Sequence, residues 1–168
     1  MSLYAMIKKY RQFYEDYKTK LFRYLLFRCG DYEIAKDIMQ ESFTRHYQKS
    51  KSSPALSPAF LFTIARNALV DYQRHENNYS LIQDYTPKSY QDLEADLILG
   101  EESQSVTDAF NKLAREDREI LTLVVSSLSY KKIAEIQDLS EANIKVRVHR
   151  ARVRLRESIN NGEKKWNT

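Results

Sequence analysis

The sequence predicts an all-α protein built as two small helical domains joined by an acidic linker. Three observations carry this. Only three Gly and three Pro occur in 168 residues, too few for a strand-and-turn fold. Apolar residues recur at spacings of three and four through most of the chain. Charge falls in blocks: residues 1–75 hold 13 basic and 7 acidic side chains, 76–110 hold 1 and 8, and 111–168 hold 13 and 8. Two basic blocks flanking an acidic middle fit two domains that face a polyanion, joined by a segment that avoids it.

The first helix spans residues 4–28, where Leu21 and Leu25, then Phe22 and Leu26, repeat at i, i+4 among Lys and Arg. Gly30 ends it and Asp31 caps the next. The second helix, 31–48, has an apolar stripe of Ala35, Met39, Phe43 and Tyr47, widened by Ile34 and Ile38. Asp37, Gln40, Glu41, Thr44 and Gln48 lie on its other face. "KSKSSPALSP" (49–58) is a loop by composition. Ser57 and Pro58 supply a cap and a first turn for a third helix. There Leu61, Ala65, Ala68 and Tyr72, joined by Ile64, line one face, and Thr63, Arg66, Asn67, Val70 and Arg74 another.

This first domain is read as 1–76 and the linker as 77–105, with a helical turn near 91–99. The second domain is read as 106–160, followed by a tail, 161–168. Within it Ile120, Leu121, Val124 and Val125 mark a buried helix. Ser129 caps the short helix "YKKIAEI", "QDL" is a tight turn, and Ser140 caps a last helix. That last helix reads "SEANIKVRVHRARVRLRE" (140–157), with six Lys/Arg against two Glu. Ile144, Val148, Ala151 and Leu155 form its packing stripe. A short helix, a tight turn and a longer basic helix describe a helix-turn-helix, whose second helix enters the DNA major groove. Arg can bridge guanine O6 and N7, and Asn can bridge adenine N6 and N7. Arg154 and Arg156, farther along, fit solvent or phosphate contacts better than base readout.

Several function classes are excluded. No Gly-rich phosphate loop, nucleophile motif or metal-spaced cluster occurs, so no catalytic residue, metal or cofactor is expected. The single cysteine, Cys29, in the apolar "LLFRC", reads as a buried structural thiol. No stretch approaches the roughly 20 apolar residues that span a bilayer, and a cytoplasmic protein is expected. Residues 129–157 alone would also fit a stand-alone helix-turn-helix transcriptional regulator.

The wider chain resembles a family. "LAREDREILTLVVSSLSYKKIAEIQDLSEANIKVRVHRARVRLRE" (113–157) resembles region 4 of bacterial sigma factors of the extracytoplasmic-function type. "DYEIAKDIMQESFTRHYQ" (31–48) resembles their region 2.2, and "SPAFLFTIARNALVDYQRH" (57–75) their region 2.4. The three motifs stand in the family's order and spacing and cover about half of the chain. The resemblance implies an alternative sigma factor that binds core RNA polymerase, recognises −10 and −35 promoter elements, and has an anti-sigma factor as a further partner.

By the same resemblance, Asp37, Gln40 and Glu41 would bind the polymerase; on residue pattern alone they read as solvated helix surface. Arg66, Asn67, Asp71 and Arg74 would meet the −10 strand. The loop 49–58 would hold an extruded base, with Tyr47, Phe60 and Phe62 as candidate stacking rings. Lys145, Val146, Arg147, His149 and Arg150 would read the −35 duplex, with Asn143 near a phosphate or base. The acidic linker would thread polymerase channels or serve as a solvated tether; charge alone does not separate the two. Departures from the family pattern are Asp138 for a common Gly, Ala114 for Pro, Asn143 for Thr, Lys36 for an acid, and Tyr47 and Phe60 where Trp is common.

Overall fold

The computed structural model describes residues 2–52, 57–80 and 103–166, and among these all regular structure is helical. Seven helices fall into two compact units, Met1–Tyr90 and Gln91–Thr168. Most of the expected linker, and the turn near 91–99, lie outside the described residues.

The first unit contains α1 (Leu3–Cys29), α2 (Tyr32–Ser50) and α3 (Pro58–Ser80). Ser2 caps α1, its Oγ accepting from the Ala5 N–H at 3.2 Å. Gly30 ends α1 at φ 68°, a left-handed conformation that costs a residue without Cβ little, and its N–H reaches the Leu26 carbonyl. Asp31 then caps α2, Oδ1 accepting from the Ile34 N–H at 3.0 Å. Ser57 does the same for α3, accepting from Phe60 N–H at 3.3 Å. α3 continues to Ser80, past the residue-76 end that the sequence suggests.

α1 packs on both α2 and α3, and α2 packs on α3. Leu21, Leu25, Ala35, Leu61, Ala65 and Leu69 are wholly buried between them, and Tyr24 meets Phe62 edge-on with ring centres 5.4 Å apart. The buried stripe of α2 differs from the one expected. It runs through Ala35, Ile38, Ser42, Phe43 and His46, whereas Met39 and Tyr47 are only half-buried. Both registers fit a helical period. Two polar residues disguise the true one, and both are satisfied internally. Ser42 Oγ donates to the Ile38 carbonyl at 2.6 Å, and His46 is enclosed in an aromatic nest.

The second unit contains α4 (Ser103–Asn111), α5 (Arg115–Val125), α6 (Tyr130–Gln137) and α7 (Glu141–Trp166). α4, α5 and α6 each pack on α7. Ile120, Leu121, Leu123, Ile133, Ile136, Ile144, Val148 and Ala151 form the core. Val125, expected inside, is 50% exposed, and Leu123 takes the interior position instead. The reason is helix phase: at about 100° per residue Val125 falls beside the half-exposed Arg118, whereas Leu123 falls with Ile120 on the buried side.

Candidate nucleic-acid interface

The helix-turn-helix is assembled from local rules. Ser129 Oγ accepts from Lys132 N–H at 3.2 Å and starts α6. Asp138 stops it in the left-handed region (φ 52°, ψ 50°). Its backbone N–H and that of Leu139 both return to the Ala134 carbonyl. Asp tolerates this conformation better than most residues, so the turn forms without glycine. Ser140 Oγ then accepts from Asn143 N–H at 3.1 Å and starts α7. Burial of Ile144, Val148 and Ala151 fixes which side of α7 faces inward. Asn143, Lys145, Val146, Arg147, His149 and Arg150 are all exposed on the remaining circumference.

Two contacts order part of that surface. Arg147 Nε donates to Asn143 Oδ1 at 2.9 Å, and Lys145 Nζ lies 3.7 Å from Glu141 Oε1. Farther along, Arg154 is committed elsewhere. Its Nη1 donates to Asp117 Oδ2 at 2.7 Å, tying α7 to the first turn of α5. Arg154 stays 57% exposed, as a solvent-facing position requires, and the pairing is one the sequence does not suggest, because it joins residues 37 apart and leaves no local signal.

In the first unit, Asp37, Gln40 and Glu41 are exposed together on α2, opposite Ala35, Ile38 and Ser42. Glu41 forms a surface ion pair with Arg45. On α3, Asn67, Asp71 and Arg74 are exposed along one face and Arg66 is half-exposed beside them. Leu61, Phe62, Ala65 and Leu69 hold the opposite face in the core.

The candidate stacking rings divide. Phe62 is 1% exposed against Tyr24, so it is a core residue and no base can reach it. Phe60 remains 37% exposed, with Lys49 Nζ 5.3 Å from its ring centre. Tyr47 is half-buried, edge-on to Tyr10 at 4.7 Å, with Lys51 Nζ 4.9 Å from its centre. Four residues of the adjoining loop, 53–56, are outside the described set.

His46 sits behind Phe60 and is the feature the sequence conceals. Its ring stacks on Phe13 at 5.0 Å and lies 5.7 Å from Phe60. Nε2 donates to the Ser57 carbonyl at 3.2 Å, which places the proton of the neutral ring there. The Tyr10 hydroxyl donates to the Phe43 carbonyl at 2.8 Å and lies 3.2 Å from His46 Nδ1. Burial pulls the His46 pKa below its ordinary value, partly opposed by the Ser57 hydrogen bond. Burial, then the neighbouring Tyr47, pushes the Tyr10 phenol up. Cys29 is half-buried, its Sγ–H directed at the Asp31 carbonyl at 3.4 Å, and burial raises its pKa; an inert thiol follows.

Both units match one family: Sigma-70 region 2 over residues 13–79 and Sigma-70 region 4 over residues 103–155. The extracytoplasmic-function sigma factor SigM of Bacillus subtilis is 32% identical over 160 residues, covering 90% of this chain and 95% of SigM. The chain belongs to the extracytoplasmic-function sigma factors. The sigma factor YlaC of B. subtilis is 28% identical, covering 89% of each chain. Among solved structures, sigma factor RpoE in complex with the anti-sigma factor NepR, from Bartonella quintana, aligns with a TM-score of 0.63. That alignment has 25% identity and covers 89% of this chain and 98% of that one. The sigma factor therefore directs promoter-specific transcription by RNA polymerase, and the stand-alone regulator is not favoured, because region 2 has no place in it. No helix among the described residues is long and apolar enough to cross a membrane.

Proposed function

We propose the division of labour by residue. Asp37, Gln40 and Glu41 of α2 bind core RNA polymerase. Arg66, Asn67, Asp71 and Arg74 of α3 contact the opened −10 strand, with Phe60 and Tyr47 near the extruded base. Asn143, Lys145, Val146, Arg147, His149 and Arg150 of α7 meet the −35 duplex. Residues 1–76 and 106–160 act as separate modules joined by the acidic segment 77–105. The protein works in the cytoplasm, has no catalytic activity of its own, and is held inactive by an anti-sigma factor; the RpoE–NepR complex supports that partner class.

One observation carries the reading. Each proposed set is solvent-facing on a helix whose opposite side is locked into a core, so the residues are displayed together on rigid elements. Direct readout by α7 needs side chains on the first turns of a groove-entering helix, and the exposed Asn143, Lys145, Val146, Arg147, His149 and Arg150 occupy that position. Phosphate attraction from the basic surface adds affinity that weakens with salt.

Reconstituted transcription with core polymerase on a promoter library tests it. Arg150→Ala should lose preference at the upstream element while retaining polymerase binding. Asp37→Ala combined with Glu41→Ala should weaken polymerase binding while leaving promoter preference of the residual complex intact. Equal loss of both functions in either variant refutes the assignment.

A further inference from the structure

The exposed surface of α7 has a centre and two flanks. At about 100° of rotation per residue, the buried Ile144, Val148 and Ala151 define the inward direction. Val146, 48% exposed, stands nearly opposite, with Ala142, His149 and Arg150 around it. Lys145 and Arg152 occupy one flank. Asn143 and Arg147 occupy the other. A helix lying in the major groove turns its centre to the base edges and its flanks to the two phosphate walls.

The flank pair is joined by the 2.9 Å bond from Arg147 Nε to Asn143 Oδ1. This bond has two chemical consequences. Asn143 can grip adenine only by using Oδ1 and Nδ2 together, and the bond from Arg147 fixes the amide on the flank and takes one of the two acceptor positions of Oδ1. Arg147, with Nε taken, presents Nη1 and Nη2 as an outward fork, and neither has another partner among the described residues. A fork held on the flank suits two oxygens of one phosphate. Holding the long side chain in advance also lowers the ordering cost of binding.

We propose that Asn143 and Arg147 form a preorganised phosphate clamp, with Arg147 as the contact and Asn143 as its positioning residue, and that sequence at the upstream element is read by Val146, His149 and Arg150. Arg147 then contributes affinity without base preference. The opposite flank is less ordered, since Lys145 is a point charge 3.7 Å from Glu141, and the two walls of the groove are held unequally. The inference rests on the reading that α7 docks in the −35 groove.

The test measures binding of the reconstituted holoenzyme to a library varied at the upstream element, at about 50 and about 200 mM salt. Arg147→Ala should weaken all sequences alike, leave base preferences unchanged, and lower the salt slope by about 0.9. The affinity ratio between the two salt concentrations then shrinks about 3.5-fold. Asn143→Ala should weaken binding in the presence of Arg147 and have no further effect in Arg147→Ala. Arg150→Ala should change base preference. Relaxed preference at one base pair in Arg147→Ala, with an unchanged salt slope, overturns the clamp and makes Arg147 a reader. Additive effects of Asn143→Ala and Arg147→Ala overturn the positioning role. If neither Arg150→Ala nor Arg147→Ala alters binding at the upstream element while polymerase binding persists, α7 does not dock there and both readings fall.

Discussion

Replacing Arg154 with alanine separates two roles for one basic residue on α7. The Asp117 side chain is 10% exposed and that of Arg154 is 57% exposed, joined at 2.7 Å. Breaking a fully buried pair costs about 3–5 kcal/mol, and an exposed pair is worth about 0–1 kcal/mol. This pair lies between. A charge-assisted hydrogen bond is worth about 1.5–3 kcal/mol, reduced here because solvent screens the guanidinium. Asp117 also lies in the first turn of α5, where the helix dipole continues to favour its charge by about 0.3–1 kcal/mol after Arg154 is gone. The expected loss is about 1–2 kcal/mol, which accelerates hydrogen exchange of the core amides of α5 and α7 by roughly 5- to 30-fold. The unit holding α1–α3 serves as the internal control. In a double-mutant cycle, Asp117→Asn and Arg154→Ala should couple rather than add. Unchanged exchange, together with a salt slope of promoter binding lowered by about 1, would refute the structural role and return Arg154 to the phosphate contacts.

Three further outcomes are expected. His46 titrates below its ordinary value of 6.5 in the folded state, so the unfolded chain takes up the proton first as pH falls. Stability of the α1–α3 unit is complete above about pH 6.5 and declines below it until the folded-state pKa is passed; denaturant unfolding across this range checks it, and His46→Gln should flatten the dependence. Ile144→Ala empties a wholly buried site and should cost about 2–5 kcal/mol, abolishing upstream-element recognition in transcription assays while polymerase binding by the α1–α3 unit proposed above survives. Asp138→Gly relieves a left-handed Cβ and should gain about 0.5–1 kcal/mol, whereas Asp138→Val should lose about 1–2 kcal/mol; hydrogen exchange in α6 and α7 distinguishes them.

Much of this architecture was legible in the chain because its signals are local. The helix starts at Ser2, Asp31, Ser57, Ser129 and Ser140 depend on a side chain reaching an N–H three residues on. Ser2 is the only one of these not anticipated. The exposed sets on α2 and α7 follow from periodicity, since burying Ile144, Val148 and Ala151 leaves the basic residues nowhere to point but outward, whereas on α3 Asp71 is suggested only by the family resemblance. The failures share a cause as well. Side-chain type alone makes Phe62 a stacking candidate, yet which aromatic of α3 is interior depends on how α3 packs against Tyr24 of α1. The sequence pattern of α2 points one position away from the buried stripe because Ser42 and His46 look like surface residues.

The order of amino acids by itself determined where α2, α3, α6 and α7 begin, which turn lacks glycine yet closes, and which faces carry charge, because those choices are made within one or two helical turns. Only the tertiary structure decided that His46 is interior, that Phe62 is unreachable, and that Arg154 answers Asp117 across 37 residues. Such contacts arise when separate helices pack at fixed angles, and no short stretch of chain encodes the angle.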